Sequence, residues 1–195
     1  NTYETLDVFV QQEIQRQGGK VAMGGYGEHR AIYQRSEHFN ALDEATNRCI
    51  HLGVDLWTSA GTPVYVPLEG KIHSFRYNDQ FLDYGATIIL EHCLEDTIFY
   101  SLYGHLSLIS LEGLYEGKPV EGGELLATLG DRTENGGWSP HLHLQLIRDL
   151  GDWKGDYPGV ATRLEAAGYL ENCPNTQPLY FKIPTQPSPK ERAFT

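Results

Sequence analysis

The sequence predicts a mainly β protein: a compact antiparallel β sandwich or barrel that follows one N-terminal helix. Seven short segments with strand character follow one another between residues 48 and 150, and turn residues separate them without any helical pattern between. The 195 residues also include 21 Gly, 10 Pro and 12 Tyr, which is typical of a turn-rich β protein. A chain of this length can bury one sizeable core.

The chain opens with a predicted amphipathic helix over residues 2–17. Its apolar side chains recur at helical spacing, at Leu6, Phe9, Val10 and Ile14. Gly18 and Gly19 end that pattern. The stretch up to residue 47 is rich in Gly, Tyr and charge and is predicted to be irregular. Its glycines lack the preceding strand and the Lys-Ser/Thr pair of a phosphate-binding loop, so we expect a plain loop.

The predicted strands lie in the middle of the chain. They are CIHLGVDLW (49–57), TPVYVP (62–67), GKIHSF (70–75), GATIILEH (85–92), TIFYSLYGHL (97–106), ELLATLG (124–130) and HLHLQLI (141–147). A short helix over residues 161–167 and a Pro-rich tail from Pro174 are expected afterwards. These features divide the chain into an N-terminal helix and lead segment (1–47), a β domain (48–150) and a C-terminal extension (151–195).

Charge and hydropathy exclude several classes of function. The formal net charge of −11 argues against a nucleic-acid-binding protein, which needs a basic surface. No apolar run approaches the roughly 18 residues that a membrane-spanning helix requires, so we expect no membrane insertion. The composition does not indicate an oligomeric state.

The three cysteines, Cys49, Cys93 and Cys173, are scattered and form no Cys-x-x-Cys pair. A zinc ribbon and a redox dithiol are therefore not supported, and three reduced thiols are the simplest reading. Reduced thiols and the absence of a visible signal peptide favour a cytoplasmic location over a secreted one. The chain begins with Asn1, so removal of an upstream segment stays open.

The segment HLHLQL (141–146) carries the first functional signal. Side chains of a β-strand alternate between its two faces. The three leucines would then face a core, while His141, His143 and Gln145 share the opposite face. Two neighbouring imidazoles on one surface are a plausible start for a metal site or an acid–base site, and Gln145 could hydrogen-bond to a metal ligand and orient it.

Two other predicted strands repeat this arrangement. In CIHLGVDLW the aliphatic residues alternate with His51, Gly53 and Asp55, and Gly53 removes the side chain that would otherwise stand between the imidazole and the carboxylate. In TIFYSLYGHL the same alternation places Tyr103 and His105 on one face. Three strands thus offer polar groups on the face away from their aliphatic residues.

Coordination chemistry limits what these groups can do. Catalytic zinc sites use three His, Asp or Glu ligands and keep one position for water. Four histidines and one aspartate exceed that need, so two histidines would remain for proton transfer or transition-state stabilisation. The chain has neither a His-Glu-x-x-His helix nor a Gly-x-Ser-x-Gly elbow, so a histidine would have to act as the base.

Four motifs in this region resemble the lysostaphin-type zinc metalloendopeptidases, also called the glycyl-glycine endopeptidase family or peptidase family M23. They are HLGVD (51–55), AGTPVYVPLEGKI (60–72), LYGHLS (102–107) and NGGWSPHLHLQ (135–145), and they keep the family's order. The resemblance implies a β sandwich of the duplicated-hybrid-motif type with a groove across one sheet.

The same resemblance assigns roles to individual residues. It implies one Zn²⁺ per chain, bound by His51, Asp55 and His143. It also implies that His105 and His141 are catalytic, one accepting a proton from water while the other stabilises the oxyanion; the sequence does not apportion these two roles. The implied reaction is hydrolysis of a peptide bond, often in the cross-bridge or stem peptide of peptidoglycan. All five positions match the family pattern.

The substrate and the assembly are less defined by the sequence. Tyr103, Asn135 and Trp138 are expected to line the substrate groove. The segments GGYGEHRAIYQ (24–34) and LIRDLGDWKGDYPGVA (146–161) resemble versions of this domain inside larger intracellular proteins, fused to kinase-like and aminotransferase-like segments. Two alternatives therefore stay open: a zinc-containing binding or regulatory domain with a blocked site, and a metal hydrolase that acts on another amide or a phosphate ester.

Overall fold

The computed structural model describes residues 3–30 and 48–176. Its α-helices are α1 (Tyr3–Arg16) and α2 (Ala166–Asn172), and a short 3-10 helix spans Leu108–Leu111. Its strands are β1 (Ala22–Gly24), β2 (Arg48–His51), β3 (Val54–Trp57), β4 (Pro63–Tyr65), β5 (Gly70–Asn78), β6 (Gly85–Leu94), β7 (Thr97–Leu106), β8 (Pro119–Val120), β9 (Leu125–Thr128), β10 (His141–Ile147) and β11 (Val160–Thr162). The irregular stretch expected over residues 31–47 and the tail beyond residue 176 lie outside the described residues.

One large sheet organises the molecule. Seven strands pair in the order β1-β3-β10-β7-β6-β5-β8, and β11-β2 and β4-β9 form two small sheets. Every pairing is antiparallel. The predicted mainly β, antiparallel fold with an N-terminal helix is confirmed, although the sheets of the described residues do not close into a barrel.

The first predicted strand, CIHLGVDLW, is divided into two strands. The chain leaves β2 at Leu52 and Gly53 and enters the large sheet as β3. At the break, the Leu52 amide donates a hydrogen bond of 2.9 Å to the Gly159 carbonyl, which satisfies a backbone group that neither sheet pairs. The break brings an end of the small β11-β2 sheet against the large sheet.

The C-terminal prediction is wrong in part. We expected a helix over residues 161–167, but Val160–Thr162 form β11 and α2 begins at Ala166. The reason is long-range pairing, because β11 hydrogen-bonds to β2 more than a hundred residues earlier. Strands of two or three residues, such as β1, β8 and β11, are too short to show a period in the sequence.

The large sheet is buried on both faces. Leu142 and Leu144 of β10 pack in one core together with Ile72, Ile88 and Leu90. Ile147 of the same strand packs in a second core, on the opposite face, whose other members are Leu52, Tyr84, Ile89, Leu102, Leu150, Tyr157, Ala161 and Cys173. The histidines of β10 share the face of this second core, so they lie in the interior of the protein.

The structure also shows the character of the helices and the state of the cysteines. Among the described residues, no helix combines the length and the apolar character needed to cross a bilayer. The three cysteines are free thiols, two of them buried.

Candidate metal centre and active site

Three buried side chains from three strands converge at one point. His51 ends β2, Asp55 lies in β3 and His143 lies in β10, directly opposite Asp55 in the strand register. His51 Nε2 lies 3.3 Å from Asp55 Oδ1 and 3.1 Å from His143 Nδ1, and the last two atoms are 3.1 Å apart. A tetrahedral ion with zinc–ligand bonds of 2.0–2.1 Å sets its ligand atoms about 3.3 Å apart. The three atoms therefore fit a tetrahedral metal site, and they form the one such group found within residues 3–30 and 48–176.

The hydrogen-bond partners of the two imidazoles fix which nitrogen faces this point. His51 Nδ1 lies 2.9 Å from the Gly25 carbonyl oxygen and His143 Nε2 lies 2.9 Å from Gln145 Oε1. Both partners only accept hydrogen bonds, so those nitrogens carry the protons. His51 Nε2 and His143 Nδ1 consequently point lone pairs at each other and at Asp55 Oδ1, and a cation between them satisfies all three.

Gln145 is held in turn by the C-terminal part of the chain. Its amide nitrogen donates to the Pro158 carbonyl at 3.1 Å and to Cys173 Sγ at 3.3 Å. These two contacts turn Oε1 towards His143, which agrees with the supporting role expected for Gln145.

The glycine between His51 and Asp55 makes room for His143. A Cβ atom on Gly53 would lie 2.6 Å from His143 Nε2 and 2.8 Å from the Leu144 carbonyl oxygen. The space predicted at Gly53 is present, but the imidazole of His143, from a distant strand, occupies it.

His105 and His141 lie side by side next to this centre. Their ring centroids are 4.2 Å apart, and both side chains are buried. His105 Nδ1 donates to the Asn135 carbonyl at 3.0 Å, and His141 Nδ1 donates to the Ser139 carbonyl at 2.7 Å. The Nε2 atom of each neutral imidazole is therefore left as a proton acceptor, and that of His141 is 3.8 Å from Asp55 Oδ2.

A β-bulge brings His105 to this position. Ile88 of β6 pairs with Tyr103 of β7, but Ala86 pairs with Leu106, so two residues of β7 face one residue of β6. His105 has a φ of 62°, in the left-handed region that a histidine rarely adopts. Its side chain therefore departs from the alternation of the strand and reaches His141.

Tyr103 does not line a groove, and that prediction is wrong. It stays in register with Leu144 and packs in the core on the other face of the sheet, 1% exposed. Simple alternation had grouped it with His105, and the bulge separates the two.

The other two predicted groove residues have different positions. Asn135 is fully buried and does not line the cavity; its side chain accepts from the Trp138 amide at 2.9 Å and donates to the Trp138 carbonyl at 3.0 Å. It therefore shapes the loop whose carbonyl holds His105. Trp138 does line the cavity beside the histidines, and its indole nitrogen donates to the Asp83 carbonyl at 3.1 Å.

Burial keeps His105, His141 and His143 neutral. It lowers the pKa of His141 to about 4 and also lowers the pKa of His143. It lowers the pKa of His105 well below the usual range. Burial works against ionisation of Asp55, but the positive charge that His51 and His141 carry when they are protonated outweighs it and holds the pKa of Asp55 well below its usual range. Near neutral pH, Asp55 is ionised and His105, His141 and His143 are neutral, the state that metal binding and base catalysis require.

Three residues of the site are absent from the sequence prediction. Trp57 stacks on His141 with ring centroids 4.1 Å apart, and it lies opposite His141 in the register. Since Trp57 follows Asp55 by two residues, the alternation could have identified it. Tyr84 places its hydroxyl 3.4 Å from His143 Nε2, and Arg30 contacts Asp55 Oδ2. No local pattern marks these two, because both lie outside the alternating segments.

A cavity of about 310 Å³ opens beside these groups. Asp55, His105, His141 and His143 line it, together with residues before β2, Trp153 and residues 156–160. A ligand in the cavity can therefore reach both the candidate metal centre and the two neighbouring imidazoles.

Comparisons with known proteins identify one family model and several solved structures that are similar to this chain. The family model described as "Peptidase family M23" matches residues 49–155. The catalytic domain of the antimicrobial peptidase lysostaphin from Staphylococcus simulans is 21% identical, with a TM-score of 0.50 over 78% of this chain and 93% of that chain. The catalytic domain of the prophage-encoded M23 protein EnpA from Enterococcus faecalis is 18% identical, with a TM-score of 0.45 over 71% of this chain and 92% of that chain.

A structure of the SpoIIIAH and SpoIIQ complex is 15% identical, with a TM-score of 0.44 over 75% of this chain and 92% of that chain. No protein in a comparison with curated sequences matches significantly. M23 proteins are typically metal-dependent, and this chain has a His/Asp group that could hold a metal. The family model covers more than half of the 195 residues, and the chain therefore belongs to peptidase family M23.

Proposed function

We propose that this protein is a zinc-dependent endopeptidase of the lysostaphin type, in which His51, Asp55 and His143 bind one Zn²⁺. The observation that carries the proposal is the convergence of two imidazole lone pairs and one carboxylate oxygen within 3.3 Å of one another. The other nitrogen of each imidazole donates to an acceptor, and the other oxygen of Asp55 accepts from Arg30, so a cation is the partner that this set of atoms lacks.

When bound, zinc polarises a scissile carbonyl and lowers the pKa of a water molecule that it holds. The two neighbouring imidazoles, His105 and His141, carry out proton transfer. His105 and His141 each present an unprotonated Nε2, since Nδ1 of each donates to a backbone carbonyl. One accepts the proton of the attacking water. The other stabilises the oxyanion that develops on the carbonyl once its own Nε2 has taken up a proton from solvent, because only a protonated nitrogen can donate to that oxygen.

The proposed substrate is a peptide, with a peptidoglycan cross-bridge or stem peptide as the first candidate. The cavity supports a peptide because aromatic walls at Trp57 and Trp138 flank the imidazoles and leave room for a backbone segment. Lysostaphin, whose catalytic domain shares the fold, is named as an antimicrobial peptidase. That name makes wall peptides the first substrates to test here.

A second candidate function is a zinc-containing binding or regulatory domain. The observation that favours it is the position of Arg30, which enters the same cavity from the N-terminal segment and contacts Asp55, a candidate metal-binding residue. A substrate assay separates the two functions, since only the peptidase turns substrate over.

The direct test is hydrolysis with and without metal. Peptidoglycan digests and Gly- or Ala-rich peptides are incubated with the protein, with chelator-treated protein and with treated protein resupplied with zinc, and products are identified by mass spectrometry. We expect cleavage that the chelator abolishes and zinc restores. Stoichiometric zinc without cleavage of any substrate would favour the binding domain, and cleavage that survives complete removal of metal would contradict the proposal.

Gly53→Ala is expected to weaken zinc binding and to destabilise the fold by about 1–3 kcal/mol, the usual cost of overpacking a buried site. The added methyl group collides with His143 and with the backbone at Leu144, which cannot move aside cheaply. Zinc content and thermal unfolding measure both effects. Gly168→Ala is the matched control, because a Cβ there meets no atom within 4 Å; equal zinc content in the two variants would refute the packing argument.

A further inference from the structure

We propose that Arg30 is a positioning residue of the metal centre: it holds Oδ2 of Asp55, so that only Oδ1 is directed at the metal. The inference rests on the proposed zinc site and assigns a function to a residue outside positions 49–155, the part that the family model matches.

The two oxygens of Asp55 have separate partners. Arg30 Nη1 donates to Oδ2, whereas Oδ1 faces His51 Nε2 and His143 Nδ1 at 3.3 and 3.1 Å. A carboxylate that binds a metal through both oxygens occupies two coordination positions. With Oδ2 engaged by the guanidinium, Asp55 supplies one position, and the fourth position of a tetrahedral zinc stays open for water.

Both the side chain and the backbone of Arg30 are held in place. Arg30 Nε donates to Glu28 Oε2 at 2.9 Å, and the Arg30 amide donates to the Cys49 carbonyl at 2.8 Å, which anchors the segment against β2. The Arg30 side chain is only 14% exposed. The Asp55 side chain is 2% exposed, so in the Arg30–Asp55 ion pair each charge depends on its partner once it is removed from water.

Strand β1 provides the space for this side chain. Gly24 lies directly opposite Asp55 in the β1–β3 register. A Cβ on Gly24 would lie 2.8 Å from Arg30 Nη2 and 3.2 Å from Trp57 Nε1. The glycine therefore leaves room for the guanidinium beside the carboxylate, and any side chain at this position would displace it.

Two opposite effects on zinc affinity make the inference testable. If Arg30 positions Asp55, its removal weakens zinc binding, and residues that hydrogen-bond to metal ligands typically contribute about 10–100-fold in affinity. If the guanidinium only supplies a positive charge next to the site, its removal strengthens zinc binding because a repulsion is lost. The sign of the change decides between them.

The experiment measures zinc affinity by competition with a chromophoric chelator. We expect Arg30→Gln to bind zinc about 10–100-fold more weakly than wild type. Gly24→Ala should weaken binding in the same direction, since it keeps the charge and displaces the guanidinium. Arg16→Gln is the matched control and should bind zinc normally, because Arg16 also pairs with a carboxylate but on the exposed face of α1. Thermal unfolding of the metal-free proteins checks that each variant is folded.

Unchanged or tighter zinc binding by folded Arg30→Gln would overturn the inference while leaving the proposed function intact. If Arg30→Gln does not fold, Gly24→Ala decides, and normal affinity in that variant overturns the inference. Wild-type protein that binds no zinc contradicts the proposed function itself.

Discussion

Asp55→Ala and His51→Ala are expected to lose zinc and, with it, all peptide hydrolysis. Each substitution removes one of three ligand atoms that lie within 3.3 Å of one another, and the remaining two cannot hold an ion in a three-ligand site. The loss of zinc affinity should exceed the roughly 10–100-fold that a residue hydrogen-bonded to a metal ligand contributes. Elemental analysis after dialysis measures the zinc content, and the cleavage assay measures turnover.

The control for these variants is His73→Ala. His73 is a half-buried histidine of β5 whose Nδ1 contacts Ser74 at 2.8 Å, and it takes no part in the candidate centre. Its substitution should leave zinc content and turnover unchanged. Stoichiometric zinc in both Asp55→Ala and His51→Ala would show that the ion binds elsewhere.

His105→Ala and His141→Ala are expected to retain zinc and to lose turnover by about 10²–10⁴-fold, the usual contribution of a general acid or base. Neither imidazole belongs to the ligand group, but both present an unprotonated Nε2 to the cavity. Zinc content and kcat, measured on the same preparations, separate catalysis from metal binding.

The outcome for each residue can be interpreted independently. Full activity in one variant would remove that histidine from the mechanism, whereas loss of zinc in either would show that it helps to hold the metal. Gln is a useful second substitution at both positions, because it fills more of the buried space than Ala and limits collapse of the site.

Local alternation predicted much of the site, because β10 is a regular strand. The pattern of HLHLQLI correctly separates Leu142 and Leu144 in the core from His141 and His143 on the other face, whereas Leu146 is only partly buried. The pairing of His143 with Asp55 follows from strand order, which a single sequence does not reveal. The family motifs predicted that the three strands meet at one site. In the structure, the candidate ligand atoms of His51, Asp55 and His143 lie close to one another.

The alternation pattern misplaced Tyr103 because the backbone of β7 is irregular at this point. The bulge in β7 puts Tyr103 and His105 on different faces, although they are two residues apart. An alternation rule assumes a regular strand, so it cannot anticipate a residue inserted into one strand of a pair. The left-handed φ of His105 is the local feature that the sequence did not signal.

Other parts of the site come from segments that flank the matched region. The Gly25 carbonyl and Arg30 reach His51 and Asp55 from the N-terminal side, and Pro158 and Cys173 hold Gln145 from the C-terminal side. These contacts join residues far apart in the chain, so no local spacing predicts them. They make both flanking segments part of the supporting structure of the candidate centre.

A crystal structure of the zinc-loaded protein, with data collected at the zinc absorption edge, tests the central claim most directly. The account predicts one anomalous peak per chain, about 2.0–2.2 Å from His51 Nε2, Asp55 Oδ1 and His143 Nδ1. A fully occupied zinc at any other position, or crystals that take up no zinc while those three side chains keep their places, would contradict it.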